Sequence, residues 1–265
     1  MSALHEAFAK AQSENRAALI AYLPAGFPTV EKNYDLVRAI VDGGADIVEV
    51  GWPYSDPLMD GPTIQKAAEM ALANGAKASD VLNTVSVVAD AGAVPLVMSY
   101  WNPIEVFGVD AFAEKLASAG GVGVITPDLI PEEATKWIAA TDSHDIDRVF
   151  LVAPSSTPER MKIVTAATTG FVYAASLMGV TGTRTSISSH ASELVERTRA
   201  VTNLPVAVGL GVSTPEQAKE VAQYADGVIV GSAFVKAVLD APSHEDAVIA
   251  VRELAQQLAE GVRSR

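Results

Sequence analysis

Ile47-Val48-Glu49-Val50-Gly51 runs straight into Trp52-Pro53-Tyr54-Ser55-Asp56-Pro57-Leu58-Met59-Asp60-Gly61-Pro62 and then into Thr63-Ile64-Gln65. The first four residues are apolar and β-branched apart from one carboxylate, and Gly51 closes them. The middle is turn chemistry, rich in Pro, Asp and Gly, and a segment of helical period follows over 63–74. A strand that is continuously apolar rather than alternating belongs to a parallel sheet covered on both faces.

The same strand–turn–helix unit recurs along the chain. Strand candidates are Ala18–Leu23, Ile47–Val50, Pro95–Ser99, Gly123–Thr126, Val149–Val152, Phe171–Ala174, Pro205–Val208 and Gly227–Val230, with Ala-rich helical segments between them. Eight βα units of roughly 30 residues predict an α/β chain closed as a (β/α)8 TIM barrel, one domain over 1–265. Extra helices are expected at the N-terminus, near Leu4–Gln12, and after strand 2, near Thr63–Asn74. A doubly wound open sheet is the alternative, and no Gly-x-Gly-x-x-Gly follows the first strand to support its dinucleotide-binding form. Thr157-Pro158-Glu159 and Thr214-Pro215-Glu216 each read as an N-cap followed by Pro at the first helical position. Ser243 with Asp246 opens the last helix, whose Val248, Val251, Leu254, Leu258 and Val262 form one apolar stripe.

The 265 residues are 49% hydrophobic, ample for a large core, and carry a formal net charge of −13. No Lys/Arg-rich run is present, which argues against nucleic-acid binding and against an anionic membrane surface. An anionic substrate must then be held by local dipoles, because the global field opposes it. The absence of cysteine excludes disulfides, thiol nucleophiles and cysteine-ligated metals. The first residues lack the apolar core of a signal peptide, and no apolar run is long enough to span a bilayer. The expectation is a soluble cytoplasmic protein.

Glu49 is the chemically expensive residue. Burying an ionised carboxylate costs several kcal/mol unless it is paired or stays protonated. In a barrel, side chains at the C-terminal ends of strands face the active-site mouth, and Glu49 sits at such an end. A structural role would require a Lys or Arg partner, and none lies near the other strand ends. Asp60 closes the loop that Glu49 opens. By itself it reads as a turn former before Gly61; together the two suit opposite roles, one protonated and one ionised. Asp56 is the rival, although its place before Pro57 marks it as a turn residue.

Gly-bearing loops follow three consecutive late strands: Gly179–Thr183, Gly209–Ser213 and Gly231–Ala233. Gly231-Ser232 opens a short helix, and the set resembles the phosphate site that barrels build after strands seven and eight. Tyr22, Tyr100 and Tyr173 fall at or near strand ends, where they either line an apolar pocket for a flat ring or pack the barrel. The four histidines make no metal spacing, so no metal is expected. The polar, Gly-flanked segment Gly179–Ser189 has the composition of a lid.

Val48–Gly51, Pro53–Pro57 and Asp60–Gln65 together resemble the signature of the tryptophan synthase alpha subunit family, and the resemblance runs nearly end to end. Gly179–Gly182, Gly209–Ser213 and Gly231–Ala233 are similar to its sixth loop and its phosphate loops. The resemblance implies retro-aldol cleavage of indole-3-glycerol phosphate to indole and glyceraldehyde 3-phosphate. Glu49 matches the acid–base carboxylate and Asp60 the carboxylate that hydrogen-bonds the indole N–H. Tyr173 matches a tyrosine beside the substrate, and Thr181 a lid residue. Gly182, Gly211, Gly231 and Ser232 match backbone donors to the phosphate, and Tyr22, Ile64, Met98 and Tyr100 the indole pocket. The resemblance also implies no cofactor in this chain, and a pyridoxal-phosphate-dependent beta chain as partner in an α2β2 heterotetramer. Asn102-Pro103 and the second loop would then lie towards the beta chain. Departures from relatives are Leu177 for Arg, Tyr22 and Leu210 for Phe, and Trp52 for a smaller aliphatic.

The chemistry fits these residues. A ring carbon protonated first makes indole a neutral leaving group, which needs an acid of raised pKa over the ring and an anion near the cation that forms. Other readings are a stand-alone lyase that releases indole, a barrel serving mainly as an allosteric partner of the beta chain, and another phosphate-binding barrel enzyme. Of the last group, an indole-glycerol-phosphate synthase would present strand-end Lys, and none is found.

Overall fold

The structure, a computed structural model, describes residues 2–176, 184–209 and 211–263, with 184–189 described by backbone alone. Its strands are β1 (Ala18–Pro24), β2 (Ile47–Gly51), β3 (Val94–Met98), β4 (Gly123–Ile125), β5 (Asp147–Val149), β6 (Leu151–Val152), β7 (Val172–Ala175), β8 (Val206–Gly209) and β9 (Gly227–Val230). All described pairings are parallel, in the order β5-β4-β3-β2-β1-β9-β8-β7-β6.

The two ends of that order are halves of one expected strand. Val149–Val152 was expected as a single unit. Instead β5 pairs with β4, β6 pairs with β7, and Phe150 stands between them. The chain passes from one neighbour to the other at this point, and the passage closes the barrel. The start lies two residues earlier than expected because Asp147 and Arg148, a pair of charges, are buried there. Arg148 donates to Thr141 Oγ1 at 2.7 Å and to the Ala167 carbonyl at 3.2 Å, so hydrogen bonds satisfy the charge that obscured the strand.

Both extra helices are present, at Ala3–Ser13 and Pro62–Ala73. Thr157 Oγ1 and Thr214 Oγ1 accept the backbone N–H of Arg160 and Gln217, the capping geometry their sequences announce. The last helix spans His244–Arg263, and Asp246 N–H donates to Ser243 Oγ at its start. Within the expected stripe Val251, Leu258 and Val262 are buried, and Val248 and Leu254 pack against the core.

Strand side chains alternate between two cores. Ala18, Ile20, Ile47, Leu96, Ile125, Val149, Phe171, Ala207 and Ile229 fill the barrel interior, and Leu4, Phe8 and Ala11 of the first helix plug its N-terminal end. The opposite faces pack under the helices. Trp52 joins this outer layer, its ring 5.3 Å from Phe112 and 6.0 Å from Phe107, which accounts for the large residue at that position. Among the described residues no helix is long and apolar enough to cross a membrane.

Candidate active site

Interior parity on β2 turns Ile47, Glu49 and Gly51 into the barrel, and Glu49 is the upper of the two side chains. It is 1% exposed, and its Oε1 has no hydrogen-bond partner. No described Lys or Arg pairs with it. Burial pushes its carboxyl up to about 8, so the group holds its proton at neutral pH.

The loop after β2 folds back over this carboxyl. Trp52 N–H donates to Met98 O at 2.8 Å, extending the strand pairing into the loop. Gln65 Nε2 donates to Asp60 O at 2.9 Å and ties the far end of the loop to the helix Pro62–Ala73. Met59 N–H donates to the Tyr100 hydroxyl at 2.9 Å, and that hydroxyl also hydrogen-bonds the Asp60 carboxylate. Burial raises Asp60 to about 6, and the Tyr100 hydrogen bond opposes the rise. Asp56 is exposed and accepts from Ser55 Oγ at 2.7 Å, the turn chemistry expected of it.

Glu49 and Asp60 face one cavity of about 480 Å³, lined also by Tyr22, Ile64, Met98, Tyr173, Gly211, Gly231 and Ser232. The structure therefore brings together, from six strand ends and the second loop, residues that are far apart in sequence. Tyr100, expected in the ring pocket, places its hydroxyl on Asp60 and Met59, two residues of the cavity wall. It is 6% exposed and braces both of them. Thr181, Gly182, Leu177 and Leu210 lie outside the described residues, as do 179–183 of the expected lid; residues 184–189 open the helix Arg184–Arg199.

Gly231 is the N-cap residue of the helix Ser232–Asp240, whose first N–H groups have no intrahelical partner. They form a small positive pole on the wall of the cavity that Glu49 and Asp60 also line, and Gly211, at φ +74°, lines it too. An anion can sit there without a cationic side chain.

Ser176, Thr63 and Ile229 also line the cavity and were not singled out from the sequence. Ser176 is a buried polar residue just past the end of β7, the same signal that marks Glu49. Ile229 is found by stepping back two residues from Gly231. Among the described residues no group of three or more His, Cys, Asp or Glu is placed to hold a metal ion.

A cavity of this size with a protonated carboxyl, an ionisable partner and an anion cradle suits acid–base chemistry on a small phosphorylated substrate. Known proteins agree. The sequence profile of the family described as "Tryptophan synthase alpha chain" matches residues 8–263. The tryptophan synthase alpha chain of Thermobifida fusca is 61% identical, over 100% of this chain and 99% of that protein. That of Mycobacteroides abscessus is 58% identical, over 98% and 97%. Among solved structures, Mycobacterium tuberculosis tryptophan synthase aligns with a TM-score of 0.92 at 53% identity, over 99% of this chain and 98% of that one. The alpha subunit from Legionella pneumophila aligns with a TM-score of 0.90 at 32% identity, over 99% and 98%. The chain thus belongs to the tryptophan synthase alpha chain family, and is an enzyme, a lyase of the alpha reaction in tryptophan biosynthesis.

Proposed function

We propose that the chain, a single barrel domain over 1–265, cleaves indole-3-glycerol phosphate to indole and glyceraldehyde 3-phosphate, with Glu49 as acid–base catalyst and Asp60 as electrostatic partner. The observation that carries the reading is a strand-end glutamate, 1% exposed and without a partner at Oε1, in the same cavity as a second carboxylate. A buried acid left unpaired has no stabilising role, and proton transfer to a bound substrate gives it one.

The phosphate binds at the N–H groups of Gly231, Ser232 and Gly211, with Gly182 added by resemblance to the family, which also makes Thr181 a lid residue. The indole ring takes the opposite end, among Ile64, Met98, Tyr22 and Tyr173. The Glu49 carboxylic acid gives its proton to the ring carbon that bears the side chain, leaving a cation on the ring nitrogen. Ionised Asp60 faces that cation and stabilises it. Glu49, now a carboxylate, takes the proton of the adjacent side-chain hydroxyl. The carbon–carbon bond breaks, its electron pair neutralises the ring, and the hydroxyl carbon becomes the aldehyde of glyceraldehyde 3-phosphate. Glu49 ends protonated, ready for another turn. The sequence of steps needs Glu49 protonated and Asp60 ionised together, which holds between pH of about 6 and about 8.

We assign no cofactor to this chain, and a cytoplasmic setting. The partner is a beta chain carrying pyridoxal phosphate, in an α2β2 assembly. An apolar rim supports a docked partner: Leu58 is 91% exposed, Met59 54% and Val106 79%, on the second loop and on the helix Trp101–Phe107 that holds Asn102-Pro103.

The test is to supply indole-3-glycerol phosphate to the chain with and without the beta chain and to measure indole. Indole from the chain alone, at a rate that rises when the beta chain is added, is the expected result. No indole in either arm overturns the reading. Equal rates in both arms make the chain a stand-alone lyase.

A further inference from the structure

Tyr22 and Glu49 are register partners on β1 and β2, so both side chains enter the barrel at one level. The Tyr22 ring is held in a slot between two glycines. A methyl group at Gly51 would lie 2.4 Å from the Tyr22 hydroxyl and 2.7 Å from Cζ. A methyl at Gly231 would lie 3.3 Å from Cδ1 and 3.4 Å from Cβ on the other side. One edge of the ring therefore rests on the glycine that opens the anion cradle, and the hydroxyl rests on the glycine two residues beyond Glu49. The residue spans the gap between the two ends of the cavity.

The hydroxyl has work to do there. Tyr22 is 9% exposed and lines the cavity, and among the described residues its hydroxyl makes no hydrogen bond. A phenol hydroxyl on a cavity wall with no protein partner is available to a ligand. Its ring could make the same packing without the oxygen, and Gly51 makes room for that oxygen in particular.

We propose that Tyr22 is a specificity-determining residue whose hydroxyl donates a hydrogen bond to the hydroxylated stretch of the substrate side chain, between the ring and the phosphate. The inference rests on the function proposed above and adds to it a contact for the part of the substrate that neither the carboxylates nor the cradle explains. The phenol remains a donor throughout the working range, because burial, reinforced by the charges of Asp60 and Glu49, raises its pKa well above the ordinary value. A site built to bond a substrate hydroxyl discriminates against analogues that lack it, since the protein group is then left unpaired.

Tyr22→Phe keeps the ring in its slot and removes only the oxygen. Two quantities are compared in wild type and variant: kcat/KM for indole-3-glycerol phosphate, and the inhibition constant of indole-3-propyl phosphate, which keeps ring, chain length and phosphate but has no side-chain hydroxyl. The expected result is a fall in kcat/KM of about tenfold with an inhibition constant changed less than about twofold, and an unchanged melting temperature. Equal weakening of substrate and analogue assigns Tyr22 to packing and overturns the proposal, as does an unchanged kcat/KM. Wild type that releases no indole overturns the underlying function, whereas an active wild type with an indifferent variant overturns the Tyr22 contact alone.

Discussion

The buried Glu49 at the C-terminal mouth of the barrel and the carboxylates at the N-terminal mouth are held in opposite ways. At the N-terminal mouth, Asp46 accepts Arg16 Nη1 at 2.6 Å, Arg16 Nη2 at 2.8 Å and Leu19 N–H at 2.9 Å. Asp226 accepts Arg199 Nη2 at 2.8 Å and Val206 N–H at 2.9 Å, and Asp147 accepts Ser2 Oγ. Each of these three acids has a donor. At the C-terminal mouth Asp60 has Tyr100 and Asp128 accepts the Trp101 N–H at 2.9 Å, but Glu49 has an orphaned oxygen. The paired mouth supports the fold. The C-terminal mouth keeps a buried carboxyl without a partner at Oε1, and a separation of stability and activity between the two mouths is the general logic of barrel enzymes.

Removing the buried acid from the C-terminal mouth should have the largest effect. Glu49→Gln is expected to lower kcat by about 10³-fold, the scale of a lost general acid, with the fold intact. The same variant should be more stable than wild type. The folded-state pKa of about 8 lies above the ordinary 4.5, so between those values the unfolded chain loses a proton that the folded chain keeps. Wild type is penalised progressively as pH rises through that window, and Gln carries no such penalty. The gain is on the order of 3 kcal/mol at pH 7 and vanishes below about pH 4.5. Thermal melts at pH 4 and pH 7 read it directly. A variant that melts lower than wild type at pH 7 would show that Glu49 is structural and that the contrast between the mouths is false.

The complementary change belongs at the other mouth. Arg16 is 4% exposed and holds Asp46 and Glu14. Arg16→Met leaves Asp46 with its backbone donor only and should destabilise the chain by about 3–5 kcal/mol, lowering the melting temperature by roughly 2–4 °C for each kcal/mol. Turnover per folded molecule, measured well below the new melting temperature, should match wild type. A loss of kcat without a loss of stability would mean that the paired mouth takes part in the chemistry.

This difference between the mouths also explains what could be read from the sequence. Strands β1 to β4 and β7 to β9 were legible because parallel strands under two layers are continuously apolar. The junction of β5 and β6 was not, because Asp147 and Arg148 are charges there, satisfied by Ser2 at the far N-terminus and by Thr141 and Asp142 of the preceding helix, and adjacent charges do not read as a buried strand. Glu49 stood out for the opposite reason: nothing near it in sequence offered to neutralise it. Asp60 was ambiguous against Asp56 because turn chemistry and catalysis favour the same residue, and only the fold-back of the loop onto Tyr100 separates them. For Tyr100, just past β3, the sequence gives only its nearness to a strand end, and the folded loop adds its hydrogen bonds to Met59 and Asp60.

The smallest predicted effect tests the C-terminal mouth most sharply. If Asp60 must be ionised and Glu49 protonated, kcat rises with pH through about 6, is level, and falls through about 8. Both limbs come from burial, so both should move with polarity at the mouth and not with salt, which screens exposed charges far more than buried ones. Asp60→Asn should slow cleavage across the whole range and abolish the acidic limb while leaving the basic limb in place. A profile for Asp60→Asn that keeps its limb near pH 6 would transfer that ionisation to another group. A basic limb that disappears together with the acidic one would mean that the two carboxyls titrate as a coupled pair and not as independent groups facing one cavity.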